Sequence, residues 1–198
     1  GTDWKHPDLI DNIYFNPNEI PNNGIDDDNN GYIDDVNGWD FVGEITTSGQ
    51  LAPDNDPGPT STQNNHGTHV AGCASAVTNN SLGIASIGFN TKLLPVKCAT
   101  DSYSGYRING FAGVVYAAEN AADIINCSFG GRGYNPAEQE IINSITEMGI
   151  LVVASAGNSR QNMDEESIYP AGYNNVLSVG SFASTNVVAK SSNYGVRT

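Results

Sequence analysis

Between residues 66 and 180, short apolar runs alternate with helix-forming stretches, and few folds accept that order. Residues 92–98, 122–127, 150–154 and 176–180 are strand-length apolar runs. Residues 66–77, 110–120 and 136–148 read as helices. The last of these carries clear end signals: Asn135 can cap it, Pro136 suits its first turn and Gly149 can end it. Strands separated by helices imply an α/β fold, a three-layer, mostly parallel twisted sheet with helices on both faces. Upstream, residues 1 to about 65 are loop-rich, dense in Asn, Asp, Pro and Gly from Asn16 to Asp35 and from Pro53 to Asn65. Neither an internal repeat nor a linker divides the chain, which reads as one domain over residues 1–198.

Charge narrows the partners. Eight basic and 22 acidic residues give a net charge of −14, which excludes the basic face a nucleic-acid binder needs and fits cation binding. No apolar run reaches membrane-spanning length, so no membrane partner is expected. The three cysteines, Cys73, Cys98 and Cys127, lie in apolar stretches and read as small buried hydrophobes, with one disulfide plus a free thiol as the alternative.

Residues 26–35 pack five carboxylates into ten positions. Oxygen donors alternate at Asp26, Asp28 and Asn30, Gly31 follows for the turn, Tyr32 offers a carbonyl, and Asp34 or Asp35 can close the set. That is the start of a calcium loop of the EF-hand type, shortened because Asn37 stands where the closing Glu belongs. The alternative is a solvated acidic turn.

Three motifs carry the chemistry: His66-Gly67-Thr68-His69-Val70-Ala71-Gly72, Ile125-Asn126-Cys127-Ser128-Phe129-Gly130-Gly131, and Val152-Val153-Ala154-Ser155-Ala156-Gly157-Asn158-Ser159. A histidine titrates near neutrality, so His66 at the mouth of a small-residue helix suits a general base. The bland alternative is a capping or core histidine. His69, one turn later, reads as structural, and His6 is assigned no chemistry. Asn158 follows an apolar strand at the carboxyl end where open α/β sheets place their sites, and its amide can donate to a developing oxyanion; the alternative is a turn asparagine.

In order and spacing these motifs resemble those of subtilisin-like serine proteases, and of their thermitase-like, calcium-binding branch in particular. The resemblance implies a secreted endopeptidase with an Asp-His-Ser triad, of which only His66 lies here, together with the oxyanion residue Asn158. The family's aspartate is expected ahead of Gly1, because His6-Pro7-Asp8-Leu9 matches the segment that follows it, and the serine motif is expected beyond Thr198. The chain is thus expected to be a partial catalytic domain, inactive alone, whose partner is the remainder of that domain. Peptide substrate is implied between edges at Tyr103-Ser104-Gly105 and Ser128-Phe129-Gly130. The primary pocket is implied to be walled by Ser155, Ala156 and Gly157 and floored near Ile168, before a Tyr169-Pro170 step expected to be cis. Two further calcium sites are implied, for one to three in all. Asp8 takes one with Asn80 and loop carbonyls such as those of Leu82 and Ile84; Asp40, Asp54 and Asp56 take the other. A catalytically inactive calcium-binding scaffold that grips peptides is the alternative function.

Overall fold

Strands joined through helices pair in parallel, and these do. β1 (Trp39–Asp40) lies beside β2 (Val96–Lys97), with Trp39 opposite Val96. β3 (Ile124–Cys127), β4 (Leu151–Ser155) and β5 (Val176–Val179) form a second sheet in that order. Its register sets Ile124 beside Leu151, and Val153 beside both Asn126 and Leu177. The computed structural model describes residues 1–43, 50–62, 64–101, 109–196 and 198. These form two compact units, Gly1–Gly113 and Val114–Thr198. No helix among the described residues is long and apolar enough to cross a membrane.

In the first unit, α1 (His66–Ser75) packs Ala71, with Ala76 just beyond its end, against Leu9 and Ile13, while Trp4 and Leu93 close the cluster. The helix ends earlier than residue 77 because the Val77 N–H bonds the Asp8 carbonyl, a partner from another segment. The run 92–98 is divided rather than one strand. Leu93 pairs with Ile13, Pro95 has no N–H to give, and only Val96–Lys97 pairs with β1. β1 is too short to show a pattern in sequence.

A buried ion triad ties β1 to β2. Lys97, 3% exposed, reaches Asp40 at 2.8 Å and Asp101 at 3.1 Å. Burial works against the charged forms here. The Asp40 and Asp101 carboxylates outweigh it and raise the Lys97 pKa, while the Thr60 N–H and Lys97 outweigh it and lower that of Asp101. Asp40 also accepts from the Val42 and Gly43 N–H groups.

α2 (Gly110–Glu119) carries the chain into the second unit, where Tyr116 is fully buried. There α3 (Pro136–Glu147) packs against β4 and buries Ile142 and Ile145. Asn135 caps it by accepting from the Ala137 N–H at 3.0 Å. Gly149 ends it at φ +88°, donating to Thr146, while the Ile150 N–H turns back to Ile145. One sheet face, with Ile125, Val152 and Ala154, is buried. Its opposite face leaves Ile124, Leu151, Leu177 and Val179 exposed, an apolar surface that a parallel sheet ordinarily covers with a second layer. None of the three cysteines forms a disulfide: Cys127 is buried and Cys98 half-buried, whereas Cys73, expected to be buried, is exposed on α1.

The triad generates a prediction. Lys97→Met leaves Asp40 charged and buried without a counter-ion, and is expected to cost about 3–5 kcal/mol in denaturant melts at pH 7. Asp101's pKa is lowered in the folded state, so its contribution is present above the ordinary Asp range. It is lost as pH falls through the depressed value. Acid titration of wild type therefore shows a stability loss below the ordinary Asp range, and Lys97→Met shows less of it.

Candidate functional site

At the carboxyl ends of β3, β4 and β5 lies a cleft of about 440 Å³, where parallel sheets gather their loops. Ser128 enters from β3, Ser155, Gly157 and Asn158 from β4, and Gly180 and Phe182 from β5. Asn158 is exposed, and among the described residues nothing hydrogen-bonds its carboxamide. A free amide beside a cleft can donate to a ligand oxygen.

The loop that carries Asn158 is held from behind. Asn193, 1% exposed, accepts from the Ser159 N–H at 2.9 Å and the Gln161 N–H at 3.0 Å. Its own amide donates to the Ala156 carbonyl at 2.7 Å, and its backbone N–H bonds Gly157. One side chain thus satisfies three backbone groups flanking Asn158. Sequence reading passed over Asn193 because its partners lie far back along the chain.

The expected pocket residues part company. Ser128, Ser155 and Gly157 line the cleft with Asn158. Ala156 does not: it is fully buried, its N–H bonded to Val179 in line with the sheet ladder. Gly130 and Ile168 are not among the residues that line the cleft; they meet each other so closely that a Cβ on Gly130 would stand 2.6 Å from Ile168 Cγ2. Paired hydrogen bonds between Gly131 and Tyr169, at 2.8 and 2.7 Å, fix that approach, and the Tyr169-Pro170 bond is cis. Phe129, between Ser128 and Gly130 in sequence, is half-buried. Tyr103, Ser104 and Gly105 lie outside the described residues.

His66 is the first residue of α1 in the first unit, and it is exposed. Asn65 before it makes no side-chain cap.

Three sets of acidic residues were expected to hold cations, and they differ. Asp8, 5% exposed, accepts from Asn80 Nδ2 at 2.8 Å and from the Ile84 N–H at 3.0 Å; those bonds hold its carboxyl below the usual range. Asn80 Oδ1 accepts the Leu82 N–H. Thr78 Oγ1 in the same loop is buried without a hydrogen-bond partner among the described residues. These oxygens fit a hard cation.

Asp40 and Asp54 pair through their backbones, but among the described residues the carboxylates of Asp40, Asp54 and Asp56 do not form a cluster. Lys97 already neutralises Asp40. Asp54 accepts the Asp56 N–H, and Asp56 is engaged by Trp4 Nε1 at 2.8 Å, the Gly58 N–H and Lys5. A fixed lysine charge thus already answers one of the three expected ligands.

In the acidic loop, one carboxylate oxygen each of Glu19, Asp26 and Asp28 lies within 4.8 Å of the others. Asn30 bridges Asp28 and Asp35 through its amide, and its Oδ1 accepts the Tyr32 N–H. Asp35 is fully buried against Asn16 and Asn30. Asp34 turns away: its two oxygens accept the Asn23 and Gly24 N–H groups at 3.0 and 2.9 Å, so it braces a turn instead of closing the loop. Glu19 was missed, because it precedes the acidic run and only the fold brings it back. Burial and the facing Asp28 and Asp35 charges push its carboxyl up, against the N–H groups of Asp28 and Asp27.

Known proteins resemble this chain throughout. The model of the subtilase family matches residues 1–198. A thermophilic serine proteinase from Bacillus sp. (strain AK1) is 34% identical over 98% of this chain and 39% of its own length. Thermitase from Thermoactinomyces vulgaris is 38% identical over 80% of this chain and 51% of its own length. A solved protease structure from Pseudoalteromonas arctica superposes with a TM-score of 0.66 at 27% identity, covering 94% of this chain and 58% of that one. The mostly parallel α/β fold is thus subtilisin-like, and the chain spans about half or less of the length of the curated relatives it matches.

The Asn193 clamp is testable. Asn193→Ala strips partners from three backbone groups and is expected to cost about 2–4 kcal/mol in a denaturant melt. Hydrogen exchange should rise most at Ser159 and Gln161.

Proposed function

Because the chain belongs to the subtilase family, we propose that it supplies the general base and the oxyanion donor of a secreted, calcium-dependent serine endopeptidase. The observation that carries this reading is the exposed Asn158 amide at the carboxyl-end cleft, unbonded among the described residues, on a loop that Asn193 holds in place. His66 is the base that takes the proton of a serine nucleophile and returns it to the leaving amine. An aspartate orients the imidazole in that mechanism. Asn158 donates to the oxygen that gains charge as the peptide carbonyl becomes tetrahedral.

The substrate in this reading is an extended peptide that adds as a strand beside Ser128-Phe129-Gly130. Ser155 and Gly157 wall the pocket for the side chain before the scissile bond. Ile168, packed against Gly130, takes up room at its floor. Medium apolar side chains then suit the pocket better than large aromatic ones.

Calcium acts structurally here. Asp8, Asn80 and the carbonyls of Leu82 and Ile84 hold one ion, and the 19–28 cluster a second. When bound, each neutralises carboxylates and adds stability by mass action. Supporting this is the donor chemistry, oxygen throughout, with buried oxygens at Thr78 and Glu19 that have no hydrogen-bond partner among the described residues.

Three outcomes follow for the intact enzyme. Asn158→Ala should lower kcat by about 10²–10³-fold, the size of effect recorded for subtilisin's own oxyanion asparagine, with KM little changed. An organophosphate should label an activated serine stoichiometrically; an unlabelled but peptide-binding protein would favour the inactive scaffold. Peptides with Leu before the scissile bond should be cut faster than those with Phe, and equal rates would remove the role given to Ile168.

A further inference from the structure

We propose that Glu19 is a calcium ligand, closing the acidic loop from ahead of it, and that Asp34 is not one. The inference deepens the calcium reading above but is independent of proteolysis.

Glu19 is 3% exposed, in a segment with no cationic partner among the described residues. Its Oε1 is satisfied by the N–H groups of Asp27 and Asp28, at 2.9 and 3.2 Å. Among the described residues Oε2 is buried with no hydrogen-bond partner. A carboxylate oxygen stripped of water without a replacement is costly, and the nearby Asp26 and Asp28 carboxylates add repulsion. A divalent cation removes both penalties together. One oxygen from each of the three carboxylates lies within 4.8 Å of the others. Two calcium–oxygen bonds of about 2.3–2.6 Å bridge such a span, and an all-oxygen donor set is what calcium takes.

Around this cluster the loop is already braced. Asn16 Nδ2 holds both Asp28 and Asp35, at 3.0 and 3.2 Å. The Asp26 carboxylate accepts from the Asn30 and Gly31 N–H groups, which sets its direction. Tyr32 anchors the far side, its ring centroid 5.1 Å from Trp39 and 5.7 Å from Phe41. Ligands held this way lose little freedom on binding. Asp34 is spent on the 23–24 turn.

The test uses Glu19→Gln, which keeps the Oε1 acceptor and the shape while removing the charge. Calcium chloride is titrated by calorimetry into the purified, chelator-stripped protein, and thermal melts are recorded with chelator and with calcium. Glu19→Gln should lose one calcium site or weaken it at least about tenfold. Its melts should cross those of wild type: equal or higher Tm in chelator, lower Tm in calcium. Asp34→Asn should keep the site's affinity although it lowers Tm in both conditions. Asp8→Asn, run in parallel, removes its own ion and leaves the Glu19-dependent one. Should Glu19→Gln fail to fold, Asp26→Asn must show the same selective loss. Wild-type stoichiometry and affinity in Glu19→Gln, or an equal Tm loss with and without calcium, overturns the proposal. Either result leaves the protease reading where it stood, since no assay here measures hydrolysis.

Discussion

Parallel pairing is the constraint on which the rest depends. Strands that run the same way must be joined by segments crossing a face, so their carboxyl ends all finish at one edge. In the second unit that edge is where β3, β4 and β5 deliver Ser128, the 155–158 loop and Phe182 to one cleft. Loops at such an edge have no ladder of their own to fix them. Asn193 supplies the missing bonds by acting as backbone for residues 156, 159 and 161 at once. Among the described residues nothing bonds the Asn158 amide, and the backbone around it is held in place by these bonds.

A chain this acidic must also decide what each buried carboxylate faces. Four different answers occur within the first unit. Asp40 meets a lysine, Asp35 meets two side-chain amides, and Asp34 meets two backbone N–H groups. Among the described residues Glu19 is answered on one oxygen only. Charge pairing, amide bonding and N–H capture each replace lost water, and the difference among them explains why similar-looking Asp residues play dissimilar parts. The Asp40–Lys97 pair is the instructive case, since a resident ammonium makes a metal there superfluous.

Much of the architecture was legible because it is encoded locally. The end signals of α3, Asn135 and Gly149, act within one turn of where they stand. Strand runs 122–127, 150–154 and 176–180 showed as apolar stretches of the right length, and each formed within two residues of its expected ends. Residues 92–98 misled for an equally physical reason: Pro95 splits the ladder and two different segments share the run. β1 was invisible because two residues carry no period.

By itself the sequence determined the helices and the three strands of the second sheet, the motif residues His66 and Asn158, and an oxygen-rich loop at 26–35, since each rests on neighbours within a few positions. Only the tertiary structure decided which polar groups meet: Lys97 on Asp40, Asn193 beneath the Asn158 loop, Glu19 beside Asp26 and Asp28 in place of Asp34. A hydrogen bond or ion pair between distant segments depends on how the chain is brought back on itself, and no local periodicity records that.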